Sequence, residues 1–161
     1  MTDRPAGHLV DRAVQIWAKL LEDPVYENGD PSLAGAAGSK MAEHMPRNND
    51  PERLEAFANA LRKRVLTPRE NGGYDTWLAV DYAPNGPLQD AAEEAGLEME
   101  FPWKTTVHIR KDSVYVSNGY HDEPTYHYPL GDGRWLVTKL TGSEIEKVVE
   151  YVKGGEPEFR V

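Results

Sequence analysis

The chain has 161 residues, 27 acidic against 18 basic side chains, a net charge of -9 and no cysteine. That length buries a hydrophobic core without covalent staples, and the lack of cysteine excludes a disulfide framework, thiolate metal sites and cysteine catalysis. The acidity argues against direct nucleic-acid binding, which leaves a basic footprint, and no apolar run approaches the roughly 18–20 residues that span a bilayer.

The first predicted element is an amphipathic helix over roughly His8–Glu22, inside an N-terminal unit spanning 1–26. Leu9, Ala13, Ile16 and Leu20 recur at helical spacing beside Val10, Val14, Trp17 and Leu21, with Asp11, Arg12 and Lys19 opposite. Such a stripe must be covered by the main domain, by a second copy or by a partner. Residues 27–49 hold Asn28-Gly29-Asp30-Pro31 and Gly35-Ala36-Ala37-Gly38-Ser39, the composition of a flexible linker.

An α+β domain is expected over 50–155. Asp50 as N-cap, Pro51 at the first position and Glu52 near the positive helix end open a second helix, with Leu54, Phe57, Leu61 and Val65 as its apolar stripe. Arg62-Lys63-Arg64 fall at its C-terminal end, where cations are favoured. Tyr74–Tyr82 alternates as a strand. Pro87 opens a third helix with Leu88, Ala91, Ala92 and Ala95 on one face, and Gly96 suits its left-handed cap.

The remainder reads as an antiparallel meander. Leu97, Met99 and Phe101 alternate with glutamates. Lys104–Arg110 and Val114–Asn118 flank one hairpin turn, and Thr125–Tyr128 and Arg134–Leu140 flank another at Gly131-Asp132-Gly133. A last helix starts at Ser143, which has capping-box spacing to Glu146, and a short tail covers 156–161. Separate helices beside a run of strands indicate a single antiparallel sheet of four to five strands with helices mainly on one face.

Chemistry-bearing patterns are sparse. His121, Asp122, Glu123 and His127 offer imidazole and carboxylate ligands, but H-x5-H across a proline-containing turn matches no tight metal signature. His108 and His127 each sit mid-strand. On neighbouring strands they would share the open face of the sheet as an acid–base pair. Asp75 and Asp81 flank Trp77, yet six residues along a strand put them roughly 20 Å apart, too far for paired-carboxylate hydrolysis. No serine lies in a G-x-S-x-G elbow, and Gly131-Asp132-Gly133 precedes a strand rather than a helix, so it is no phosphate cradle.

Two sets read instead as binding surfaces. Asp90, Glu93, Glu94, Glu98 and Glu100 form a dense acidic stretch with no base between Arg69 and Lys104, a docking face for a cationic partner. Trp103, Tyr115, Tyr120, Tyr126 and Tyr128 cluster on or beside strands, and tyrosine and tryptophan dominate interface hot spots. In size, acidity and lack of catalytic motifs the chain resembles the small inhibitors that viruses and mobile elements use against restriction or CRISPR systems, some of which imitate nucleic-acid charge.

The expected function is therefore a non-enzymatic acidic interaction module, in the manner of an inhibitor of a nucleic-acid-handling protein. It needs no cofactor and no membrane, and it takes a protein partner with a basic surface. The start of the chain lacks a signal-peptide pattern, so a cytoplasmic location is expected. One alternative is a small enzyme or metal-dependent hydrolase using His108, His121, Asp122 and His127. The other is a homodimeric scaffold paired through the N-terminal helix.

Overall fold

The computed structural model describes residues 4–22, 50–81, 83–99, 104–118, 123–131, 133–139 and 147–148. The predicted linker over 27–49, the helix start at Ser143 and the tail over 156–161 lie outside them.

Helix α1 runs Gly7–Glu22 and buries Leu9, Val10, Ala13, Val14, Trp17 and Leu21. Helix α2, Pro51–Leu66, starts as its sequence dictates: Asp50 Oδ1 accepts from the Glu52 amide at 3.0 Å, with Pro51 in the first turn. Phe57, Leu61 and Val65 form its buried face. Strand β1, Trp77–Asp81, pairs with the two-residue β2, Ala83–Pro84. Asn85 completes that edge, its side-chain amide donating to the Trp77 carbonyl and its backbone N–H to that of Ala79.

Helix α3, Gly86–Ala95, ends in a Schellman cap. Gly96 takes φ +71°, its N–H bonds Glu93, and the Leu97 N–H reaches back to the Ala92 carbonyl. The alternation of Leu97 and Met99 predicted a strand; residues 97–99 instead form no ladder, and both side chains are buried as the chain crosses from α3 to the sheet. The meander follows as β3 Thr105–Ile109, β4 Val114–Asn118, β5 Thr125–Pro129 and β6 Trp135–Thr138.

The strand order is β2-β1-β3-β4-β5-β6, antiparallel throughout, so five full strands carry one short edge pairing. Register sorts the side chains into two faces. Leu78, Val80, Val107, Ile109 and Val114 point to the helices and share one core with α1, α2 and α3. The fold is α+β with these three helices on one side of a single antiparallel sheet. A smaller cluster of Tyr128, Leu130 and Leu136, with Val148 packed on it, occupies the other face.

Two expectations change here. The α1 stripe is covered by the chain's own α2 and sheet, with Trp17 and Val10 fully buried, so it offers no surface for pairing two copies. And α1 is no separate unit, because its apolar residues belong to the same core as residues 50–118.

Candidate functional site

The feature that stands out is a row of rings on the sheet face away from α1–α3. The register places Trp77 opposite His108, His108 opposite Tyr115, and Tyr115 opposite Tyr126, one from each of β1, β3, β4 and β5. Neighbouring strands lie about 4.8 Å apart, close enough for rings in one row to touch. The Trp77 and His108 centroids are 4.9 Å apart, and Trp77 also lies 6.3 Å from Tyr115 in a stacked arrangement. Tyr115 meets Tyr126 edge-on at 5.6 Å, Tyr126 stacks on Tyr128 at 6.2 Å, and the Arg110 guanidinium lies 5.2 Å from the Tyr126 ring centroid. Trp77 is 52% exposed, the one large hydrophobic side chain left in solvent among the described residues.

The predicted histidine pair does not form. His108 is in the aromatic row, but Val114 pairs with His127, which turns His127 to the helix side. There Arg12 of α1 donates from Nε to His127 Nδ1 at 3.1 Å, while its guanidinium lies 5.0 Å from the Trp135 ring. Burial, and then the Arg12 charge, push the His127 pKa down to about 4. Burial, then Arg110, also lowers that of His108. The cause of the split is parity: valine and isoleucine take the core side in β3, whereas the tyrosines of β5 take the open side and leave His127 inward.

His121 and Asp122 lie outside the described residues, as do Glu100, Trp103 and Tyr120. Among the described residues no group of three or more His, Asp or Glu is arranged to hold a metal ion.

The acidic set is real but lies elsewhere. Asp90, Glu93, Glu94 and Glu98 are exposed along α3 and its cap, on the helix side of the sheet rather than beside the rings. Arg64 of α2 approaches Asp90 at 3.9 Å, and Glu93 accepts from Gln89 at 2.6 Å. Tyr115 and Tyr126 are half-buried and Tyr128 is buried, so the exposed end of the ladder is Trp77.

Three features escaped the sequence reading. Asp75 is buried and held by Arg64 at 3.4 Å and by a second ion pair from Arg69, an arrangement that offsets the cost of burying its charge. The Asn71-Gly72-Gly73 turn brings Arg69 and Asp75 together, with the Gly72 N–H donating to the Arg69 carbonyl, so the turn was the available signal. A cleft of about 560 Å³ separates α1 from the β5–β6 hairpin beside His8, Arg12 and Trp135. A second cavity, of about 460 Å³, opens next to His108 and is lined by Arg4, Arg110 and Lys111. These two are products of tertiary packing and leave no local trace.

Comparison of the chain with models of known families, with curated proteins and with solved structures returns no match.

Proposed function

We propose that the protein works by binding rather than by chemistry, as a protein-interaction module whose contact surface is the aromatic face of the sheet. The observation that carries this reading is Trp77, 52% exposed at the end of a supported ring ladder. Exposing a tryptophan is unfavourable for the isolated chain, and fully burying one large apolar side chain regains roughly 1.5–3 kcal/mol. The neighbouring rings limit its freedom, so little side-chain entropy remains to be lost on association. Tryptophan and tyrosine in such settings are the usual energetic centres of interfaces.

The net charge of -9 favours a partner with a basic surface, such as a nucleic-acid-handling protein, whose approach the field would accelerate. On this reading the exposed acids of α3 act at long range, and the rings supply the contact.

The test is affinity capture from the native host with wild type, Trp77→Ala, and a Glu93→Lys/Glu94→Lys variant, quantified by mass spectrometry at low and high salt. The expected result is a partner whose recovery falls at least about tenfold with Trp77→Ala, and falls with the charge variant at low salt. Equal recovery by wild type and a folded Trp77→Ala variant would overturn the assignment of the surface.

A further inference from the structure

The cavity of about 460 Å³ beside the ladder has a character opposite to that of the whole molecule. Arg4, Arg110 and Lys111 all line it in a chain of net charge -9, together with Thr76 and His108. No ion pair joins any of these three cations to a described carboxylate. The nearby Asp112 accepts instead from the Ser113 hydroxyl at 3.0 Å. The cavity also abuts the start of α1. Ala6 caps that helix with its backbone carbonyl alone, and the first turn contains no acid to offset the positive end.

Three cationic residues lining one concave site favour an anion there, since none of them forms an ion pair with a described carboxylate. Two arginines and a lysine lining a concave site suit a phosphoryl group, and the Arg110 guanidinium also lies 5.2 Å from the Tyr126 ring centroid of the ladder. One wall of the cavity fixes the rest of the ligand. His108 lines the cavity and also sits 4.9 Å from the Trp77 ring, so a group bound among the cations lies next to an exposed aromatic surface. A flat ring attached to the phosphoryl group would stack there, as bases stack on aromatic side chains. A long polyanion is disfavoured by the acidic field of the remaining surface, whereas a single phosphate meets mainly the local charges.

We propose that the Arg4/Arg110/Lys111 cavity binds the phosphoryl group of a phosphate monoester whose flat ring rests on Trp77, the chemistry of a nucleoside monophosphate. The site shares Trp77 and Arg110 with the ladder, whereas Arg4 and Lys111 make no contact with its rings, so those two positions test the site apart from the protein-binding surface.

Calorimetric titration of the full chain at low salt with adenosine monophosphate, adenosine, inorganic phosphate and a single-stranded oligonucleotide tests it. Adenosine monophosphate should bind at least about tenfold more tightly than adenosine or phosphate alone. Arg4→Gln/Lys111→Gln, both at exposed positions, should weaken it by a similar factor without changing the circular dichroism spectrum, and Trp77→Ala should reduce it to the level of phosphate. The same double variant should retain the partner captured by wild type, which separates the two proposals. Binding no tighter than adenosine, an oligonucleotide preferred over the monophosphate, or an unchanged affinity in the double variant would each overturn the site.

Discussion

A ring nitrogen that accepts a hydrogen bond has no room for a proton. At His127 the acceptor is Nδ1, the donor is Arg12 Nε, and the setting between α1 and β5 adds the cost of burial. The folded pKa of about 4 lies below the ordinary histidine value of 6.5. Between those values the unfolded chain therefore binds the proton and the folded chain does not. The sign follows: the contribution is fully present above pH 6.5 and is lost as the pH falls through 4. Its size is on the order of 3 kcal/mol at most. Urea midpoints at pH 7, 5.5 and 4.5 should show a decline in the wild type that is shallower in His127→Gln, which keeps an acceptor but does not titrate. Parallel curves would refute the account. Sequence parity showed that His108 and His127 each opposed their strand neighbours. Which parity faced the helices depended on the Val114–His127 register, a long-range pairing that no local pattern encodes.

At the scale of elements, what is local was legible and what is shared was not. The α2 cap at Asp50, the Gly96 cap of α3 and the hairpins follow from single residues with specific backbone demands. The α1 stripe announced that something covers it but not what, since one apolar face fits any other. That α2 and the sheet do so makes α1 indispensable to the core. Trp17→Ala should cost about 3–5 kcal/mol in urea denaturation, and a chain lacking residues 1–22 should lose its cooperative transition. A truncated chain that melts as sharply as the full one would show the helix to be dispensable. Leu97 and Met99 misled for an equally physical reason. A period of two over three residues is the signature of a strand, but a Schellman cap followed by a buried crossing segment produces the same spacing.

Over the whole molecule, the sheet divides the chemistry. Helices with the exposed acids of α3 lie on one side and the ring ladder on the other, while the cation-lined cavity sits between the start of α1 and His108. The sequence contained both sets of residues, but their separation emerges only when the strands are laid in order. Reversing Glu93 and Glu94 to lysine should leave stability within about 0.5 kcal/mol, as for most surface substitutions. It should slow association with a basic partner several-fold at low salt, with the difference fading near 1 M, where the Debye length is about 3 Å. Stopped-flow rates across a salt series would check this, and a rate difference that persists at 1 M would contradict an electrostatic origin.

The edge at β1 and β2 has a separate consequence. Sheets grow when an exposed strand offers a row of donors and acceptors to an incoming chain. Here Asn85 already occupies the outward carbonyls of Trp77 and Ala79, and Pro84 has no N–H to give. A foreign strand arriving at this side finds two acceptors taken and one donor missing, so the exposed tryptophan that heads the ladder sits beside a margin poorly suited to cross-β stacking into fibrils.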